Sequence, residues 1–405
     1  MKVGILGAGI TGLSIGKLLN KKHTVQILEE KGIHGGIART KNVDGVTYHT
    51  IGGHCFNSKY KDVLDFVFNE VLPLDQWNKI QRKSSIHFKN HEIDYPIEFS
   101  IKQIFEFDQE LAIRMTSDFL NANDDHSYEN LDDWFRKKFG NSLSEEYFIP
   151  YNTKIWNRKP SDMNPEWVED KLPIPDKKSF FEGLIKTAQD NMAHAVFYYP
   201  KSNNQNTFID ALAEGLDIVY NTSIHSIRKI DNKWIVNDQH VYDILISTIP
   251  LDILPSLIEG TPKEVTDAAS KLRFNKVSNV IWKSESTTKT WSYHPEPNTL
   301  FHRYIHLGSF FTPSKGYTIT EVIGDHSKEE MIENGIKDPF LIQPLDHNTS
   351  NHAYVVFDEN YPKSTALIKE YLTKIGLHSI GRFGEWQYYN MDVCIKSSIE
   401  LAKTL

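Results

Sequence analysis

Lys2-Val3-Gly4-Ile5-Leu6-Gly7-Ala8-Gly9-Ile10-Thr11-Gly12-Leu13-Ser14-Ile15-Gly16-Lys17-Leu18-Leu19-Asn20 is the stretch on which the fold turns. Residues 2–7 form a short apolar run, which predicts a buried strand, and residues 10–20 predict a helix. Residues 24–29 (TVQILE) predict a second strand, so the chain opens β-α-β. Gly7, Gly9 and Gly12 fall between strand and helix in the order G-x-G-x-x-G. Gly7 permits the tight turn, Gly9 lets the backbone approach a pyrophosphate, and Gly12 allows close packing of helix on sheet. The helix N-terminus adds free N–H groups and positive partial charge for an anion. Glycines also serve ordinary turns, so the six residues alone decide little. Glu29 supplies the context: it ends the second strand, where an acid binds a ribose hydroxyl. Glu30 beside it reads as a solvated neighbour.

Bulk properties narrow the function. A chain of 405 residues suits two or three packed domains. With 45 basic and 53 acidic residues, a net charge of −8, it has no general attraction for nucleic acid. An anionic ligand therefore needs a local basic site. Cys55 and Cys394 cannot make a disulfide framework and read as reduced thiols of a cytosolic protein. No apolar run reaches the roughly eighteen residues of a membrane span. Val3 to Leu19 is broken by glycines and lacks a cleavage site, unlike a secretory signal.

Further along, segments such as YKDVLDFVFNEVL, IKQIFEFDQELAIRM and SFFEGLIKTAQDN have helical spacing. Residues 61–199 therefore predict a mainly helical unit. Inside it, SSIHFKNHEIDYPIEF alternates about Lys89-Asn90 and predicts a hairpin. His87, His91 and Glu92 have a spacing that suits zinc on a helix. In a hairpin the two imidazoles need not converge, so no metal is expected. Residues 217–248 predict short strands that rejoin the nucleotide domain, with Ile224 lining the cofactor. Residues 277–323 predict further strands, and DVCIKSSIELAKTL a last helix opened by Asp392. The fold class expected is α/β. A discontinuous Rossmann-like domain (1–60, 200–250 and 376–405) carries the helical insertion (61–199) and an antiparallel sheet domain of about six strands (251–375).

Gly35-Gly36-Ile37-Ala38-Arg39-Thr40 follows Glu29 closely and resembles the second glycine motif of the amine-oxidase-like flavoproteins. That resemblance implies FAD, with Gly35, Gly36 and Arg39 lining it. Four later segments resemble the UDP-galactopyranose mutase family. Gly52-Gly53-His54-Cys55 is similar to its flavin-facing loop, with Gly53 and His54 at the cofactor. Glycine there lets the backbone lie against a flavin and shift with redox state. Phe148-Ile149-Pro150-Tyr151-Asn152-Thr153-Lys154-Ile155-Trp156 resembles the motif whose tryptophan stacks on the uracil, which implies substrate contacts from Tyr151 and Trp156. Trp291-Ser292-Tyr293-His294-Pro295 with Phe301-His302-Arg303-Tyr304 resembles the segment of an active-site arginine. Arg303 would then hold a diphosphate, because a guanidinium fork matches phosphate oxygens. Gly381-Arg382-Phe383-Gly384-Glu385-Trp386-Gln387-Tyr388-Tyr389-Asn390-Met391-Asp392 resembles the family's last motif. It implies cofactor contacts from Arg382, Met391 and Asp392 and substrate contacts from Trp386 and Tyr388. Tyr354 and Tyr361 resemble tyrosines of the family's cleft.

The resemblance implies a pyranose–furanose mutase acting on a nucleotide-diphospho sugar in cell-surface polysaccharide synthesis. His54, Arg303 and Arg382 are the catalytic candidates. In that family only reduced flavin is active, without net redox change, so an external reductant is a partner; whether the chain self-associates stays open. One departure is marked. Where bacterial members have Arg-x-Pro-x-Arg, this chain has Lys171-Leu172-Pro173-Ile174-Pro175. Pro175 carries no charge in place of a diphosphate-binding arginine, which leaves Lys177 or Lys178 as substitutes. That departure, and Trp386 in place of a tyrosine, keep two alternatives open. One is an FAD oxidoreductase of the amine-oxidase or protoporphyrinogen-oxidase type; the other is a non-catalytic sugar-nucleotide or partner-binding flavoprotein.

Overall fold

The computed structural model describes residues 1–405 except 124, 166, 167, 169–173, 175 and 186–195. The Lys171-to-Pro175 run therefore lies largely outside the described residues.

Strand Lys2–Leu6, helix Ile10–Leu19 and strand Thr24–Leu28 form as their apolar patterns demand. The first strand sits centrally in a five-stranded parallel sheet. Across it the order is His378–Ser379, Ile244–Ser247, Lys2–Leu6, Thr24–Leu28 and Asp217–Val219. Three distant parts of the chain thus complete one parallel sheet. Its core takes Val3, Ile5, Leu13 and Ile15 from the opening unit, Ile246, and Ile395 from the last helix, all fully buried. That helix, Met391–Ala402, begins one residue earlier than expected: Asn390 is its N-cap and Asp392 sits in its first turn. A separate three-stranded antiparallel meander, Ile227–Ile230, Lys233–Val236 and His240–Tyr242, separates the last two strands contributed from this region.

The second sheet is larger than the sequence suggested and not wholly antiparallel. Its seven strands run Leu341–Val356, Arg273–Ser284, Tyr317–Ile323, Arg303–Ile305, Trp291–Tyr293, Ser84–Phe88 and His91–Asp94. The last two are the hairpin inside the otherwise helical segment, turned by Lys89 and Asn90 at φ 50° and 63°. Positive φ at both central residues matches the right-handed twist of the strands. The hairpin joins the sheet through a parallel pairing of Ser84–Phe88 with Trp291–Tyr293. Periodicity in one segment cannot announce a pairing with a strand two hundred residues away. The segment 61–199 gives a second pair as well, Trp77–Gln81 against Val196–Pro200.

Helices Ile101–Phe107, Gln109–Asn121, Leu131–Phe139, Ile149–Trp156 and Lys177–Ile185 supply the helical part. Trp134, Phe135, Phe139 and Phe148 cluster there with ring centroids 4.1–5.9 Å apart. Among the described residues no helix is long and apolar enough to cross a membrane.

Candidate active site

A cavity of about 860 Å³ runs from the glycine loop of the parallel sheet to the inner face of the second sheet. At the first end, chain direction is set by the backbone. Gly7 has φ +96°, donates its N–H to Leu28 O at 2.9 Å, and turns the chain into the helix. A Cβ on Gly12 would stand 1.9 Å from Gly7 O, so the helix crosses the loop where only hydrogen fits. Gly35 N–H donates to Ala8 O at 2.7 Å, which seats the second glycine pair on the first. Gly36 has φ +56°, and a Cβ there would meet Gly9 Cα at 3.1 Å. Glu29 closes this end: its Oε2 accepts from Ala8 N at 2.7 Å and its Oε1 from Lys31 N at 3.0 Å. Gly7, Gly9, Glu29, Gly35, Gly36 and Ile224 all line the cavity. Gly12 packs beneath it, and Arg39 turns aside, donating from Nη1 to Asp210 Oδ1 at 2.7 Å.

The wall between the two ends is the Gly52–His54 loop. A row of side chains from neighbouring strands pins it: Asn348 Nδ2 donates to Thr50 O at 3.0 Å and Asn279 Nδ2 to His49 O at 3.1 Å. Glu321 completes the row, accepting Gly52 N–H at 2.5 Å. Its other oxygen accepts from Arg303 Nε, and Arg303 Nη2 donates to Tyr354 OH at 2.8 Å. Glu321 is wholly buried, so this pair is desolvated and its geometry fixed. His54 reaches the cavity with Nε2 unpartnered. Burial first, then the nearby Arg382 and Arg303, push its pKa down to about 3, which keeps the imidazole neutral.

Arg382 comes from the last motif. Gly381 turns at φ +85° and lies so close to Thr11 that a Cβ would meet its Oγ1 at 2.3 Å. Arg382 donates to Ala353 O at 2.8 Å and Tyr389 O at 2.9 Å, and lies 4.6 Å from the Tyr388 ring centroid. Its Nε is buried without a partner. Tyr388 stacks on Tyr354 at 5.5 Å, and both line the cavity with Met391 and Asp392.

The structure therefore brings together His54, Gly53, Arg303, Tyr354, Arg382, Tyr388, Met391 and Asp392 with the glycine loops. It does not bring in Trp156, Tyr151 or Trp386. Trp156 is 4% exposed and packs edge-on against Tyr354, Phe357 and Tyr388 at 6.1–6.2 Å, behind the cavity wall. Tyr151 stacks on Tyr147 at 5.5 Å, and Trp386 is fully buried near His352. Lys154 of the same motif spans to the second sheet, donating to His294 O, Glu296 O and Phe301 O at 2.8–3.0 Å. Burial lowers its pKa to about 8.

Two residues that sequence reasoning missed matter most. Glu321 had a signal, a lone acid inside the apolar run Tyr317–Ile323. Arg82 had none. It lines the cavity between Trp291 and Tyr95, beside Cys55, whose thiol burial pushes up to about 12.

Comparison with known proteins follows the same lines. A model of NAD(P)-binding Rossmann-like domains matches residues 5–70. UDP-galactopyranose mutase of Mycoplasma genitalium is 24% identical over 99% of this chain and 94% of its own length. The crystal structure of a reduced UDP-galactopyranose mutase superposes with a TM-score of 0.86 at 22% identity, covering 99% of this chain and 93% of the other. A protein of Exiguobacterium sp. 255-15, assigned as a protoporphyrinogen oxidase, superposes with a TM-score of 0.75 at 15% identity, covering 100% and 98%. The resemblance to UDP-galactopyranose mutases thus extends along the whole chain, and the likeness to the oxidase is one of fold.

Proposed function

We propose that this chain is a flavin-dependent mutase that interconverts the pyranose and furanose forms of a nucleotide-diphospho sugar, with FAD as cofactor. The observation that most supports it is the meeting in one cavity of the nucleotide-loop glycines with Arg303, Tyr354, Arg382 and Tyr388. The residues fit a flavin dinucleotide: a bare glycine cradle at one end, and the unpartnered Nε2 of His54 and Nε of Arg382 further in. Gly7, Gly9 and Gly36 would hold its pyrophosphate and Glu29 its ribose. When bound and reduced, the flavin supplies a nucleophilic nitrogen for the sugar's anomeric carbon.

The chain's own residues do the rest. Arg303, anchored through Nε and one Nη2 hydrogen, keeps Nη1 for the substrate diphosphate. Tyr354 and Tyr388 flank it, and the neutral His54 keeps a positive charge away from the reacting centre. These groups position the leaving diphosphate and stabilise its charge as the bond to sugar breaks. The FAD-binding unit would comprise 1–60, 200–250 and 376–405, in a cytoplasmic protein serving polysaccharide synthesis.

The test is anaerobic. Protein reduced with dithionite and given a panel of nucleotide sugars should yield furanose product without consuming stoichiometric reductant. In a parallel aerobic assay starting from oxidised flavin, hydrogen peroxide released in step with product would instead identify an oxidase.

A further inference from the structure

We infer that Arg82 is the second cation for the substrate diphosphate, doing the work of the arginine that Pro175 displaces. The inference rests on the sugar-nucleotide reading and concerns only how this chain balances the charge of that ligand.

A nucleoside diphosphate brings about two negative charges. Arg303 cannot balance them alone, because the wholly buried Glu321 carboxylate already matches its charge. Lys177 and Lys178 belong to the helix Lys177–Ile185 and do not line the cavity; the Lys178 side chain is 83% exposed and faces Glu182 at 3.9 Å. Arg82 does line it. Its Nη2 donates to Tyr293 OH at 2.6 Å and its Nε to Ser84 Oγ at 3.1 Å. Its guanidinium carbon lies 4.7 Å from the Trp291 ring centroid and 5.9 Å from that of Tyr95. No described carboxylate lies within ion-pair distance of it. Glu98, near the same tyrosine cluster, is pushed by burial to about 8 and so is mostly uncharged at neutral pH.

Sheet geometry places the two arginines on one wall. Tyr293 and Arg303 are directly paired residues on adjacent antiparallel strands, so their side chains share a face. Arg82 grips the far end of Tyr293. Tyr293 therefore stands between two guanidinium groups, one neutralised by Glu321 and one not. A half-buried cation without a counter-ion is disfavoured unless a ligand supplies the negative charge. Hydroxyl acceptors and an aromatic face hold the group in place without cancelling its charge, which is what an anion subsite needs.

The experiment uses the flavin-loaded full chain with UDP, uridine and inorganic pyrophosphate as calorimetric probes. Arg82→Gln and Arg82→Met should each weaken UDP and pyrophosphate by about tenfold or more, the loss of one charge-assisted contact, and uridine by less than about twofold. Met also keeps the volume while removing the half-buried, unpaired charge, so its melting temperature without nucleotide should equal or exceed that of the natural protein. UDP affinity within about twofold of wild type in either variant, while Arg303→Ala loses it, would overturn the assignment and leave the mutase reading standing. Equal losses for uridine and UDP would overturn it too, reducing Arg82 to a shape-forming residue. A natural protein that binds neither UDP nor pyrophosphate overturns both readings.

Discussion

The two ends of the cavity are built on opposite plans. The glycine end is local: Gly7, Gly9, Gly12 and Glu29 lie within one β-α-β unit, and backbone atoms do most of the work. The far wall is assembled across strands. Arg82, Tyr293, Arg303, Glu321 and Tyr354 come from or flank five different strands, and they meet only because the sheet order brings them together. At the first end space decides, most severely at Gly12, where a Cβ would meet Gly7 O at 1.9 Å. At the second, charge balance decides, and substitutions there should alter ligand binding before they alter the fold.

The largest effect should come from the glycine end, and it should divide within a single motif. Gly12→Val places a Cβ on top of Gly7 O, at 1.9 Å, and backbone cannot give way as a side chain can. Loss of more than about 3 kcal/mol or failure to fold is expected, read by chemical denaturation. At Gly9 the nearest atom to a new Cβ is Gly36 Cα at 4.0 Å. Gly9→Val should therefore fold with a near-normal melting temperature yet purify without the yellow flavin absorbance. Equal behaviour of the two variants would break the division between packing glycine and ligand glycine.

That contrast also explains what could be read beforehand. The opening unit was legible because strand, turn and helix each follow from residues a few positions apart. The hairpin about Lys89-Asn90 was legible for the same reason, but its place in the second sheet was not. His54, Arg303 and Arg382 could be singled out by motif, and the structure puts them on one cavity. Trp156 belongs to an equally good motif and lies behind the wall, since a motif does not say which way a ring faces. Arg82 had no motif at all. Its setting comes from Trp291 and Tyr293, more than two hundred positions away, through strand pairing.

A middle-sized effect should appear with pH at the loop between the two ends. His54 has its folded pKa depressed to about 3, from 6.5. The folded state therefore binds fewer protons than the unfolded state below pH 6.5, and stability falls as pH drops from there toward 3. Between pH 6.5 and pH 5 this one group should cost about 1.5 kcal/mol. His54→Asn should reduce the acid sensitivity by that amount in urea titrations at the two pH values. His294 and His306, also held down by burial, contribute equally to both proteins and cancel in the difference. An unchanged slope would place His54 in contact with solvent and remove the case for a neutral imidazole beside Arg303 and Arg382.

The smallest effect should come from Lys178, and that smallness sharpens the comparison most. The sequence offers this lysine, like Lys177, as a stand-in for the charge missing at Pro175. Its side chain is exposed and its carboxylate partner, Glu182, is one helical turn away on the same surface. Solvent screens such pairs, so Lys178→Ala should change stability by no more than about 0.5 kcal/mol. UDP affinity should stay within about twofold of the natural protein, at low as well as moderate salt, because a mobile surface ammonium adds little to a ligand held in a cavity it does not line. A tenfold loss would mean that the helix Lys177–Ile185 reaches the diphosphate when nucleotide binds. The far wall would then be completed by a moving helix rather than by strands alone, and Arg82 would share its charge with a residue from outside the sheet.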